Sequence, residues 1–381
     1  MRRMEGRLRT MALEDAPLVR THGRTGTSRS PLALFWTGSG IELVVTGAEL
    51  WLEVEASLGR YEPWFSMLVN GAPVSRQMAQ EGRRWVPVFR GMNPHTAKRV
   101  RFVKESQAMS SDPDCALLLH GLRTDGELLP VPERARRIEF VGDSITSGEG
   151  AIGARSEEDW IPMWFSARDN YAWLTAEALD ADCRILSQSG WGVLSGWDND
   201  PRSRMPAVYE QACGLLGGER NEALGARETH DFGSWQPDAV VVNLGTNDGG
   251  AFRSPEWICR ETGDRFKQRL ADDGSFHADD LGAFEAAAER FLGRVRACNP
   301  QAWIVWAYGM LGLEMMPSIC RAVDAHAKRT GDRRVAVFQL PAMTARTQGA
   351  RQHPGTEAHR QAAEALAEHL RGLLGMPRAE R

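Results

Sequence analysis

Four residues of this sequence have the types needed for acyl transfer: Ser144, Gly190, Asn247 and His353. A serine hydroxyl attacks a carbonyl only when a base takes its proton and fixed N–H groups receive the charge developing on oxygen. Ser144 lies in "RIEFVGDSITSGEG", where the β-forming residues Ile138, Phe140 and Val141 give way to Gly142-Asp143-Ser144. Gly190 lies in "SQSGWG", Asn247 in "NLGTND" and His353 in "ARQHPGTEAH". Ser144 is the candidate nucleophile and His353 the candidate base. The backbone N–H groups of Ser144 and Gly190, with the Asn247 amide, are candidate oxyanion donors. Taken singly, each has an ordinary reading as a turn, loop or helix-entry residue. Their joint occurrence at strand ends and a helix start points to chemistry.

The elements that must position them follow from periodicity. "RIEFVGD", "DCRILSQSG", "DAVVVNLGTND", "AWIVWAYG" and "RRVAVFQLP" are apolar runs suited to strands buried on both faces. Helical stretches separate them. In "DLGAFEAAAERFLGRVRACNP" one face collects Phe284, Ala288, Phe291, Leu292 and Val295, and Asn299-Pro300 ends the helix. Pro354 suits the first turn of the last helix. Alternating strands and helices make a parallel sheet, whose ligands bind beyond the carboxyl ends of the strands. The stretch from Gly249 to Asp280 is too long for a simple connection and is expected to cover or shape that cleft.

Residues 31 to about 125 read instead as short strands, with "AELWLEVEAS" alternating and an Asn70-Gly71 hairpin signal, the pattern of a β-sandwich. The expected division is a sandwich domain over 1–128, a linker over 129–136 and an α/β domain over 137–381.

A length of 381 residues fits two cores better than one. A net charge of −4 and the lack of a Lys/Arg-rich block argue against a nucleic-acid partner. No run approaches the roughly 18 apolar residues of a membrane span. "MRRMEGRLRTMALEDAP" carries basic residues without an apolar stretch behind them, so no secretory signal is visible and a cytoplasmic location is expected. Six cysteines without paired spacing read as reduced thiols, not as a disulfide framework or zinc site. Oligomeric state is left open.

The four blocks resemble those of the SGNH (GDSL-type) hydrolases, whose motif residues fall here on Ser144, Gly190, Asn247 and His353. From about residue 20 the chain is similar to the two-domain carbohydrate esterases of family 2, through "LFWTGSGIELVVTG", "FSMLVNG", "VVVNLGTNDGGAF", "NPQAWIVWAYGML" and "QHPGTEAH". The resemblance implies an N-terminal jelly-roll sandwich followed by a three-layer α/β/α SGNH domain. It also implies a serine esterase that removes acetyl groups from sugar hydroxyls, often at the 6-position of hexoses, with no metal or other cofactor. One departure stands out. Such enzymes usually carry an Asp three residues before the histidine, and here that position is Ala350. Some family 2 members work as a Ser–His dyad with a backbone carbonyl on the imidazole, and the same is expected here.

Other residues receive lesser roles. Asp143 is expected to hold its turn, Asp248 is a weak alternative orienter for His353, and His359 is expected to pack its helix. Trp191 and Trp257 are candidate substrate walls, because indole faces stack on sugar C–H faces; Trp197 and Trp306 lie near the same blocks. Tyr308, at the end of the fourth strand, is the third substrate-binding candidate. The acetylated carbohydrate is the expected partner. A lipase or thioesterase on the same domain, or a non-catalytic carbohydrate-binding protein, are the rival readings. The sandwich either binds polysaccharide or buttresses the catalytic domain.

Overall fold

The structure, a computed structural model, describes residues 7–377. The chain divides into two compact units, one built mainly from the residues up to Glu133 and the other mainly from Arg134 onward. Ile161–Met163 and Gln211–His230, from the second half of the sequence, belong to the first unit.

The first unit holds two antiparallel sheets of jelly-roll-like architecture. One runs in the order Arg9–Ala12, Ala116–Thr124, Glu49–Ser57, Gly82–Arg90, with Leu32–Ala33 also on Ala116–Thr124. The other runs Leu128–Leu129, Gly40–Val45, Lys98–Lys104, Trp64–Val69, Ala72–Met78, with Arg20–His22 beside Gly40–Val45. Along Glu49–Ser57 every second residue is buried, as the alternation requires. The inward set includes Leu50, Leu52, Val54, Phe65, Val100 and Phe102. Asn70-Gly71 turns the chain between Trp64–Val69 and Ala72–Met78. Leu128 and Leu129, at the expected start of the linker, pair with Val45 and Val44 and finish the sheet. Gln211–His230 is fastened to this unit by the fully buried Trp36, whose indole N–H donates to Ala212 O at 2.7 Å.

The second unit contains the five expected parallel strands: Arg136–Gly142, Ala181–Ser187, Ala239–Asn243, Trp303–Tyr308 and Val335–Gln339. Their spatial order is second, first, third, fourth, fifth, so the chain reverses direction across the sheet at the first strand. Gly142 pairs with Ser187 on one side and Asn243 on the other, so three strand ends finish level. Whatever follows Gly142, Ser187 and Asn243 is therefore delivered to one rim, at the switch point where such sheets bind ligands. The helices Tyr171–Ala178 and Thr356–Leu373 pack together, as do Ala278–Cys298 and Met316–Thr330. Phe284, Ala288, Phe291, Leu292 and Val295 are all buried, and Asn299 caps that helix.

Two expectations need correction here. Val335–Gln339 is only half-buried, because it is the sheet edge. Pro354 precedes the last helix, which starts at Thr356, because residues 347–355 fold back through Gly349 N–H to His353 O and Gly355 N–H to Thr347 O, both 2.8 Å. No helix among the described residues is long and apolar enough to cross a membrane.

Candidate active site

Ser144 is the first residue of a one-turn helix, Ser144–Ser147, and Asp143 caps it by accepting from Ile145 N–H at 3.0 Å. That turn aims the hydroxyl out of the strand end, and Ser144 Oγ lies 2.9 Å from His353 Nε2. On the other side of the ring, His353 Nδ1 lies 2.7 Å from Arg351 O. A carbonyl oxygen only accepts, so Nδ1 carries the proton and Nε2 is left to accept from the serine hydroxyl. The imidazole is thus oriented by main chain, in the place where related enzymes use an Asp.

The carbonyl reaches that place through an uncommon backbone. Arg351 and Gln352 both adopt positive φ, 52° and 58°, a conformation that costs about 1–2 kcal/mol per L-residue. The turn closes against the loop after Ser144, where Ala350 N–H donates to Gly150 O at 2.9 Å. Gly150 itself is left-handed, and a Cβ there would lie 2.3 Å from Ala350 O, so the two loops approach this closely only with glycine.

Gly190 follows the second strand with φ +80°, and a Cβ added to it would sit 3.0 Å from the Trp197 ring. Its loop is tied down by Asp248, whose carboxylate accepts from Val193 N–H at 2.9 Å and Leu194 N–H at 2.8 Å. Burial pushes the Asp248 carboxyl up to about 6, against the pull of those N–H groups. Asp248 therefore holds the glycine loop and does not orient His353. Neither Ser144 N–H nor Gly190 N–H has a protein acceptor among the described residues. Asn247 shares the rim: its Nδ2 donates to Trp191 O at 2.9 Å and to Asp143 Oδ2 at 3.3 Å. The second bond is longer than the ordinary range and is the one that yields more easily to a new acceptor. Burial pushes the Asp143 carboxyl up to about 7, with the Ile145 N–H opposing and the charges of Asp248 and Glu149 adding to the rise.

Among the aromatic candidates, Trp191 is half-buried beside the glycine loop. Trp257 is half-buried in a small hairpin, Trp257–Ile258 with Arg265–Phe266, under the guanidinium of Arg202 at 4.9 Å. That hairpin segment is bound to the glycine loop through Asn199 Nδ2 to Pro255 O at 3.0 Å and Gln268 Nε2 to Ser195 Oγ at 2.9 Å. Tyr308 is 4% exposed, with its ring 3.5 Å from the Cβ position of Gly245. Burial pushes its phenol up to about 12. It packs against the third block at Gly245. Trp306 is fully buried, donating to Leu244 O at 3.0 Å. Trp197, by contrast, is 55% exposed beside Gly190. The sequence places it only in a loop, and nothing in its spacing sets it apart.

His359 is fully buried in the last helix, where its Nδ1 accepts from Tyr171 N–H at 3.1 Å and its ring stacks on Tyr171. Among the described residues no group of three or more His, Cys, Asp or Glu side chains is placed to hold a metal ion.

Comparison with known proteins agrees with this geometry. The GDSL-like Lipase/Acylhydrolase family matches residues 140–373. Cellulase/esterase CelE of Acetivibrio thermocellus is 26% identical over 370 residues, which cover 95% of this chain and 40% of that protein. An acetylxylan esterase / glucomannan deacetylase of Cellvibrio japonicus is 27% identical over 242 residues, 63% of each. The chain thus spans only part of these curated relatives. Among solved structures, an acetyl xylan esterase from the rumen bacterium Butyrivibrio proteoclasticus is 45% identical, with a TM-score of 0.95 over 97% of this chain and 99% of that one. A family two carbohydrate esterase from Clostridium thermocellum, in complex with cellohexaose, is 25% identical, with a TM-score of 0.77 over 94% of this chain and 99% of that one. By this match of fold, motifs and sequence, the chain belongs to the GDSL-like lipase/acylhydrolase family and, within it, to the family two carbohydrate esterases.

Proposed function

We propose that this protein is a serine esterase that removes acetyl groups from the hydroxyls of xylo-, manno- or gluco-type oligosaccharides. The observation that carries the reading is the continuous relay from Ser144 Oγ to His353 Nε2 at 2.9 Å and from Nδ1 to Arg351 O at 2.7 Å. Relatives named as acetylxylan esterases support the substrate class.

In the mechanism, His353 takes the Ser144 proton as Oγ attacks the acetyl carbonyl. The oxyanion is received by the N–H groups of Ser144 and Gly190 and by Asn247, which exchanges its long bond to Asp143 for the new acceptor. His353, now protonated on both nitrogens and bonded to the Arg351 carbonyl, gives its Nε2 proton to the departing sugar oxygen. Water then attacks the acetyl carbonyl as His353 takes its proton, and His353 returns that proton to Ser144 Oγ as acetic acid leaves and ionises, which restores the free enzyme. Trp197, exposed beside Gly190, is the best-supported wall for the sugar ring, with Trp191 and Trp257 as further candidates.

The test is acetate release from a panel of 2-, 3- and 6-O-acetylated xylo-, manno- and gluco-oligosaccharides, with 4-nitrophenyl acetate and octanoate alongside. Turnover of at least one acetylated sugar, lost in Ser144→Ala with an unchanged circular dichroism spectrum, is expected. Preference for octanoate, or activity retained by Ser144→Ala, overturns the reading.

A further inference from the structure

We infer that Glu149 is a positioning residue for the histidine base, and that it acts by clamping Arg351 in the conformation that aims its carbonyl at His353. This rests on the esterase reading above and deepens it. The usual acid is replaced at residue 350 by an alanine, so the orienting acceptor has to come from a backbone that its own conformational preference does not hold. Two successive residues with ordinary side chains, Arg351 and Gln352, lie at φ 52° and 58°. Left free, such a turn relaxes to negative φ and swings the carbonyl off Nδ1.

What holds it is the Arg351 side chain. Its Nε donates to Glu149 Oε1 at 3.1 Å, and another guanidinium nitrogen donates to Glu158 O at 3.0 Å. Its backbone N–H donates to Glu157 O at 2.8 Å. Glu149 is 3% exposed and comes from the loop that begins at the nucleophile. Its backbone N–H donates to Ser144 O at 3.0 Å. The clamp therefore joins the segment carrying the nucleophile to the segment carrying the base, five residues beyond the one and two before the other. A guanidinium fork is suited to this task, because its several fixed donors engage a carboxylate and a carbonyl at once. The Glu149 carboxylate also lies 3.8 Å from His353 Nε2, beyond hydrogen-bonding range. It reaches the base through Arg351.

Glu149→Gln keeps the size of the side chain and removes its charge. The expected result is a loss in kcat of about 10²-fold, the scale of a small misplacement of a catalytic group. KM should stay within about threefold of wild type, because a group that acts in the transition state leaves ground-state binding alone. Adding Arg351→Gly supplies a residue that accepts positive φ without a clamp. The double variant should recover at least about fivefold in kcat over Glu149→Gln alone. A mere fold defect does not give this rescue, and neither does a direct effect of the Glu149 charge on the imidazole. Arg351→Lys keeps the charge but cannot span both acceptors, and covers the case in which Glu149→Gln fails to fold; about three- to tenfold lower kcat is expected. Wild-type kcat in Glu149→Gln or Arg351→Lys, or a double variant no better than the single one, overturns the clamp. The esterase reading is judged separately: activity in Ser144→Ala removes it, whereas an inactive Ser144→Ala beside a fully active Glu149→Gln removes the clamp alone.

Discussion

At the scale of the residue, each ring nitrogen of His353 has one task. Nδ1 is committed to the Arg351 carbonyl, and that commitment frees Nε2 to serve as base. A neutral acceptor fixes the tautomer but offers the imidazolium less stabilisation than a carboxylate does, so the oxyanion donors carry more of the catalysis. Asn247→Ala should therefore lower kcat by about 10²–10³-fold, the usual effect of losing one such donor. Steady-state kinetics on 4-nitrophenyl acetate measures it, and a change below about fivefold returns Asn247 to the role of a turn residue. Ser144, Asn247 and His353 are readable as candidates because their chemistry lies in side-chain type, and Gly190 because a glycine after a strand lets the backbone approach a ligand. The Arg351 carbonyl was not legible as a particular atom. Every residue has a carbonyl, and only the two left-handed residues decide where this one points. Trp197 did not stand out in the sequence for a related reason: exposure depends on loop paths, which carry no period.

At the scale of the element, level strand ends and loop anchors build the site. Gly142, Ser187 and Asn243 finish together in register, and Asp248 secures the loop after the second strand by its backbone N–H groups. The five strands and the long helices were legible from apolar runs and amphipathic spacing. The edge position of Val335–Gln339 was not, because strand order is a tertiary property. The last helix docks through His359, and burial pulls this imidazole down to about 3. The folded protein therefore keeps it neutral, whereas the unfolded chain binds a proton near pH 6.5. Between those values the unfolded state holds more protons at this site, so the His359 contribution to stability falls as pH drops from about 6.5 to about 3, opposite in sign to the contributions of the raised Asp143 and Asp248 carboxyls. Denaturant unfolding of wild type and His359→Gln at several pH values isolates this contribution: the stability difference between the two should change between pH 6.5 and about 3 with the sign given. An equal slope in the variant contradicts the assignment.

At the scale of the whole molecule, the chain does not divide by a single cut. Gln211–His230 leaves the α/β unit and joins the sandwich unit, where Trp36 holds it. Composition does not mark this excursion, because its loops and the short helix Glu219–Ala223 acquire a partner only in the fold. Trp36→Phe removes the indole donor and leaves Ala212 O unpaired, a loss of about 1–3 kcal/mol in urea unfolding followed by far-ultraviolet circular dichroism. No measurable loss contradicts the anchoring role. The α/β unit carries the central claim, that a serine and a histidine 209 positions apart act together on an acetyl ester. The most direct test is rapid acid quenching during turnover of 4-nitrophenyl acetate, followed by peptide mass mapping. One acetyl group on the peptide containing Ser144, absent from Ser144→Ala, is the predicted result. An acetyl group on any other residue that turns over at the catalytic rate, or hydrolysis that continues in Ser144→Ala, would contradict it.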